Sequence, residues 1–311
     1  MISHISWRKL PTNGLAFVVL ATLWGGSFVA IEAGVEELPP LLFAAVRYDL
    51  AGVLVLAWAA LRGRWLPRTR HDWLAVGLVG SLLIAGHHAL LYVGQTTVPS
   101  AVAASIVALV PVLTALFAAL LLADERLHPA GYAGVGLGFL GVLVVTAPGS
   151  GSGVPVEGVT LVFGAAALFA LGSVLLRRLR PRLSLGALQG WGMLLGSAVL
   201  HGGSWLSGES QALEAFVASP AALAALGFLV VGPGVVAFLL YFRLLGSIGA
   251  TQTSLVGYAE PVAAAALAWG VFGYVPSVGA VLGFLLVAAG FALVKYETLL
   301  SVVGRVETAR A

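Results

Sequence analysis

The chain is divided almost end to end into apolar stretches of roughly 20 residues, the length an α-helix needs to cross the hydrocarbon core of a bilayer. Ten such stretches can be read, at about 13–34, 39–61, 73–94, 99–122, 130–147, 158–177, 184–206, 221–244, 250–272 and 277–295. Prolines mark the breaks. Pro39 and Pro40 open the second stretch, Pro99 the fourth, Pro129 the fifth and Pro220 the eighth, positions where a helix has no use for the missing N–H. Only 9% of the residues are charged, against about 25% in a soluble domain. A water-facing surface cannot be built from that supply, so the solvent for most of this chain is lipid. The fold class expected is an all-α polytopic membrane protein of ten transmembrane helices. The first stretch is too long for the core of a cleavable signal, and no small-residue cleavage pattern follows it.

The basic residues set an orientation. With the N-terminus in the cytoplasm, the inside segments hold Arg8 and Lys9; Arg62, Arg64, Arg68 and Arg70; Arg126; Arg177, Arg178, Arg180 and Arg182; Arg243; and Lys295, Arg305 and Arg310. The sixteenth basic residue, Arg47, lies within the second stretch, and the outside loops carry Glu36, Glu37, Glu157, Glu209 and Glu214 instead. This is the positive-inside asymmetry, and it places both termini in the cytoplasm of a cell carrying the protein in its cytoplasmic (inner) membrane. It also accounts for the net charge of +3 without a nucleic-acid partner. The absence of cysteine excludes disulfides, thiol nucleophiles and cysteine-bound metals.

The two halves repeat. Leu90-Leu91-Tyr92 and Val110-Pro111-Val112 match Leu239-Leu240-Tyr241 and Glu260-Pro261-Val262; Ala21 and Gly26-Ser27 match Ala167 and Gly172-Ser173; Gly134 and Gly141 match Gly283 and Gly290. A five-helix unit is odd, so its second copy enters the membrane upside down, an arrangement found in transporters because two pseudo-symmetric states open to opposite sides. The expected units are 1–149 and 156–296, joined by the Gly- and Ser-rich linker Pro148–Pro155, with 297–311 as a cytoplasmic tail.

Trp24-Gly25-Gly26-Ser27-Phe28, Arg47-Tyr48, Pro111 followed by Asp124-Glu125-Arg126, and the glycine-rich fifth stretch resemble the drug/metabolite transporter superfamily, EamA type. The likeness covers nearly the whole chain. It implies export or exchange of a small solute through a central cavity lined by helices 1–4 and 6–9, and leaves open whether that solute is amino-acid-like, another metabolite or drug-like. The family repeats an acidic residue after the ninth helix; here the position matching Glu125 is Tyr274.

Ionisable residues inside a membrane are costly and mark function or tight pairing. Arg47 is an anchor for a carboxylate-bearing solute, or a structural arginine bound to carbonyls. Asp49 stands two residues away, ~200° around the helix, and cannot pair with it directly; its small neighbours Ala45 and Gly52 suggest a buried, hydrogen-bonded role. Glu260, beside Pro261, is the leading coupling residue, with Asp49 the second: a carboxyl that meets water when a cavity opens can exchange a proton there. Its alternative is a permanently neutral hydrogen-bonding role. Ser81, His88, Tyr92 and Gln95 form a polar stripe that reads as cavity wall, with His87 rotated away. Trp24, Ser27, Gln189, Trp191 and Tyr241 add further candidate wall. Adjacent histidines do not converge on one ion, so no metal is expected, and without a GxxxxGK[ST] loop no nucleotide or other cofactor is either. The GxxxG pairs Gly134/Gly138 and Gly279/Gly283 serve close helix contact, within one chain or in a homodimer. The competing reading is a membrane-embedded enzyme acting on a lipid-linked substrate, which needs converging acid, base or metal groups; a structural or sensory role is a third.

Topology is directly testable. Reporter fusions at residues 66, 180 and 305 are expected to report cytoplasm, and fusions at 152 and 210 the outside. A cytoplasmic signal at 152 gives each half an even number of crossings and rules out inverted repeats.

Overall fold

The computed structural model describes residues 10–63, 65–123, 125–147 and 153–296. Arg8, Lys9, Arg64, Asp124, residues 148–152 of the linker, and the 297–311 tail with Arg305 and Arg310 lie outside the described residues. Every regular element among the described residues is a helix. We number them α1 (Leu10–Val35), α2 (Pro40–Leu61), α3 (Arg70–Gly94), α4 (Ser100–Leu121), α5 (Pro129–Thr146), α6 (Val156–Leu179), α7 (Leu185–Leu206), α8 (220–254), α9 (Val256–Phe272) and α10 (Val278–Val294), with one extra turn at Ala215–Ala218.

Six of these, α1–α4, α6 and α8, are long and apolar enough to cross a membrane, and α5, α9 and α10 are shorter apolar helices. The 22-residue α7 is more polar, carrying Gln189 and His201. The outward faces are apolar: Leu50, Val53 and Leu54 on α2, Leu140 and Leu143 on α5, and Leu282 and Leu285 on α10 are exposed. Large side chains in such continuous exposed bands belong against lipid.

The helix starts follow from local chemistry. Pro40, Pro129 and Pro220 occupy first-turn positions. Ser184, Ser219 and Ser277 each accept the backbone N–H three residues on, and Thr69 and Asp72 form a reciprocal capping box. At α2 the prolines leave no N–H until Leu41. Glu209, from the loop after α7, closes that end: its Oε1 and Oε2 accept Leu41 N–H and Leu42 N–H at 3.0 and 2.9 Å. At α4, Glu32 of α1 accepts Ser100 N–H at 2.8 Å.

The principal pairings are α2 with α7, α5 with α10, α1 with α8 and α9, α6 with α3 and α4, α3 with α7, and α4 with α9. Glycines allow the closest of them. A Cβ on Gly134 would collide with the carbonyl of Gly290, and one on Gly141 with that of Gly283, so α5 and α10 meet backbone to backbone in antiparallel register. The GxxxG glycines of the fifth and tenth stretches thus include residues spent on a contact within one chain. Gly25 is pressed against α9, its missing Cβ lying 2.6 Å from the Glu260 carbonyl oxygen.

Two local departures from the sequence reading matter. The periodicity predicts a turn between 244 and 250, yet the helix continues through Ser254 and α9 opens at Val256; no proline lies between Pro233 and Pro261 to stop it. In addition, α3 contains a π-helical segment at Val79–Gly86 and α8 one at Gly232–Val236, while α4 breaks between Val107 and Val110, ahead of Pro111.

The Glu209 cap has a measurable consequence. Glu209→Ala strips the only side-chain acceptor among the described residues at the start of α2 and is expected to destabilise the protein by about 1–3 kcal/mol, read as a lowered unfolding temperature in detergent. Glu209→Gln, which keeps one acceptor oxygen, is expected to lose less.

Candidate functional site

The π segment of α3 decides which of its polar residues face inward. A π turn holds an extra residue, so the 3.6-residue stripe drawn from Ser81 to Gln95 does not run straight through it. Ser81 is rotated out: it is exposed and bonds its own Gly77 carbonyl at 2.7 Å. The stripe is corrected to the residues beyond Gly86, and these turn toward α1, α2 and α6.

There Arg47 is 5% exposed. Its Nη1 donates to the Tyr92 hydroxyl at 2.8 Å, and its guanidinium lies over the Tyr48 ring, 4.7 Å from the centroid. Its Nε is buried without an acceptor, and no carboxylate lies within ion-pair distance among the described residues. Tyr48 and His88 meet at 2.5 Å between Oη and Nε2, and His88 Nδ1 faces the Ile84 carbonyl at 3.0 Å. A carbonyl only accepts, so Nδ1 carries a proton; in the neutral ring Nε2 then accepts the Tyr48 O–H. His87 turns the other way, donating from Nδ1 to the Ala165 carbonyl of α6 at 2.9 Å. The two histidines therefore serve different helices. Phe43 packs edge-on against Tyr92.

The structure thus brings together Arg47, His88 and Tyr92, and adds Tyr48. Gln95, one turn beyond Tyr92, is 3% exposed and donates from Nε2 to the Phe28 carbonyl of α1 at 2.9 Å. Trp24 and Tyr241 meet across α1 and α8 with ring centroids 5.5 Å apart, and Phe238 adds a third ring 6.2 Å from Trp24. Ser27 bonds the carbonyl of Trp24 in its own helix at 2.6 Å.

Other candidates lie elsewhere. Trp191 stacks on Trp65 and meets Trp73 edge-on, and its indole N–H donates to the Trp65 carbonyl at 2.9 Å. It pins the loop between α2 and α3 and is not part of the arginine cluster. Gln189, two residues earlier, is half-buried. Asp49 joins His201 of α7 at 2.7 Å. Side chains lean toward a helix N-terminus, and α2 and α7 run antiparallel, so these two lean toward each other. With side-chain exposures of 43% for Asp49 and 38% for His201, the pair sits at the rim of the α2–α7 seam, beside the apolar outer face of α2. Glu260 is half-buried where α9 packs on Gly25, and its carboxyl has no hydrogen-bond partner among the described residues. Sequence reasoning passes over His201 and Glu32, and names Tyr48 only in a family motif, without a role in the site. The signals were Tyr48's place beside a buried arginine, and a single ionisable group within each of the seventh and first stretches.

Two cavities open at opposite ends of the bundle. One, of ≈190 Å³, lies where α1 and α3 end and α4 begins; the other, of ≈390 Å³, lies between α4, α6 and α10 beside the Glu125–Arg177 ion pair. The carboxylates Glu32, Asp49 and Glu260 stand on three separate helices, and none is hydrogen-bonded to the Arg47, Tyr48, His88 and Tyr92 cluster among the described residues.

Comparison with known proteins agrees with this geometry. The EamA-like transporter family is matched over residues 12–147 and again over 156–296. The uncharacterized inner membrane transporter YedA of Escherichia coli (strain K12) is 32% identical, over 86% of this chain and 84% of its own length. A probable terminal-alkyne amino-acid exporter of Streptantibioticus cattleyicolor is 29% identical over 45% of this chain and 47% of its own. A solved crystal structure shares the fold with a TM-score of 0.63 and 24% identity, covering 91% of this chain and 96% of that one. An apolar helical bundle matched by this family through nearly all of its length is a multi-pass membrane transporter, and the chain belongs to the EamA-like transporter family.

Proposed function

We propose that the chain is a secondary carrier or facilitator that moves a small carboxylate-bearing metabolite across the inner membrane, by export or exchange, through alternating access. The observation that carries this reading is Arg47, a buried guanidinium with one hydroxyl partner, one bare N–H and no carboxylate to neutralise it among the described residues. A buried cation is stable only when paired, and a solute carboxylate supplies the pair in the bidentate geometry arginine favours. Tyr92, Tyr48 and His88 fix the guanidinium in place. The amino-acid solute in the name of the Streptantibioticus relative favours an amino-acid-like cargo and outward movement.

In the architecture we propose, ten helices form two inverted five-helix units, 1–149 and 156–296. The termini and the 297–311 tail are cytoplasmic. Three observations support it. The family is matched twice in succession. The helix pairings exchange under a shift of five: α1 with α8 and α9 corresponds to α6 with α3 and α4, and α2–α7, α4–α9 and α5–α10 map onto themselves. The π segments fall in α3 and α8, and the prolines Pro111 and Pro261 in α4 and α9. Interrupted helices at corresponding places of two repeats point to a transport site.

Of the two carboxyls proposed for coupling, Asp49 already has His201, whereas Glu260 has no partner among the described residues. Glu260 is therefore the residue we assign to proton exchange.

Uptake of a labelled panel of amino-acid-like compounds into proteoliposomes tests the function. Arg47→Ala is expected to fold and insert but to bind the cargo at least tenfold more weakly, and Arg47→Lys to recover only part, since it loses the fork. Undiminished transport by Arg47→Ala leaves Arg47 a structural role only. Wild-type flux is further expected to respond to an imposed pH gradient, and Glu260→Gln to retain exchange while losing that response. Flux indifferent to the gradient in the wild type makes the protein a facilitator.

A further inference from the structure

The ≈190 Å³ cavity at the ends of α1 and α3 is lined by Glu32, Glu36, Gln95 and Thr97, among others, and its electrostatics all have one sign but for a single element. α1 ends at Val35 and α3 at Gly94, and neither has a basic residue in its last turn. Each helix end carries a partial negative charge. Glu32 and Glu36 add two carboxylates, and no Lys or Arg lines the space. The exception is the start of α4, where Ser100 N–H donates to one oxygen of Glu32; the other Glu32 oxygen has no such partner among the described residues.

A second observation is independent of that charge. Gln95, 3% exposed, commits its amide N–H to the Phe28 carbonyl, which fixes the amide so that Oε1 is the atom left over. That oxygen is buried with no hydrogen-bond partner, as is the nearby Ser100 Oγ. A buried acceptor without a donor is unfavourable and calls for a group that brings positive charge to it. The cavity exceeds the ~30 Å³ of a water molecule several-fold, so it admits a small ion with its remaining waters, or an ammonium group.

We propose that this cavity is a binding site for a monovalent cation, either a free alkali-metal ion or the ammonium group of a solute. Its ligands are the oxygens of Glu32, Glu36 and Gln95. On α3, Gln95 lies ~4.5 Å beyond Tyr92 along the helix axis, so this acidic site adjoins the arginine cluster. The two together present opposite charges to a dipolar solute.

Thermal unfolding of the purified full-length protein in detergent tests the proposal without any transport assay, so its outcome is separable from that of the Arg47 experiments. Sodium, potassium and methylammonium chlorides are compared with bulky N-methyl-D-glucamine chloride at equal ionic strength. A saturable rise in unfolding temperature is expected with at least one small cation. Saturation by the metal ions alone assigns an inorganic ion; saturation by methylammonium assigns an amine. Glu36→Gln, at the exposed rim with no side-chain hydrogen bond among the described residues, is expected to weaken that binding about tenfold, as loss of one charge at close range does. Glu32→Gln, which still accepts from Ser100, is expected to do the same. The proposal is overturned if no small cation exceeds the control, or if Glu36→Gln and Glu32→Gln bind as the wild type does.

Discussion

A backbone N–H or carbonyl inside a bilayer has no water to fall back on, and its partner must come from the protein. The chain satisfies this in the helices' own ladders, and the places where it cannot are where distant residues are drawn in. Pro39 and Pro40 define the start of α2 sharply, but they leave the following N–H groups to be met from elsewhere, and Glu209 reaches them from the far side of the sequence. Glu32 does the same for α4. These carboxylates tie α1 to α4 and the end of α7 to the start of α2, so capping and tertiary assembly are one event.

The polar interior obeys the same rule less completely. Several of its groups are closed off: His87 on Ala165, His88 between Ile84 and Tyr48; at the rim, Asp49 is closed off by His201. Among the described residues the groups left open are few, namely Arg47 Nε, Gln95 Oε1, Ser100 Oγ and the Tyr258 hydroxyl among buried atoms, and the Glu260 carboxyl in a half-buried place. Incompletely satisfied groups within an otherwise economical interior are the natural places for a passing solute or ion to bind.

Much of this was legible in the residues alone. Apolar length and proline punctuation located the helices, because crossing lipid leaves few alternatives. The separation of Arg47 from Asp49 followed from helical geometry, and the two do turn to different neighbours, Tyr92 on α3 and His201 on α7. What the residues did not disclose depended on winding and on long-range partners. A π turn in α3 moves Ser81 off the stripe that an ideal helix would give it. Trp191 looks like cavity wall until Trp65 and Trp73 are seen around it. The run of α8 to Ser254 replaces an expected turn because glycines alone do not end a helix. Glu209 reads as an ordinary outside-loop charge, since nothing local reveals that α2 lacks a cap.

The glycine contacts between α5 and α10 constrain how such a molecule can deform. Gly134 faces Gly290 and Gly141 faces Gly283, two points ~10.5 Å apart along the axis. At each, main chain rests on main chain, flanked by Leu293 at the first and by Val145 and Val287 at the second. Sliding by one residue would drive a Cβ into a carbonyl, and rolling would part both contacts at once. The two helices are therefore held to each other as one unit, and in the alternating-access reading proposed above the rearrangement falls to the other helices.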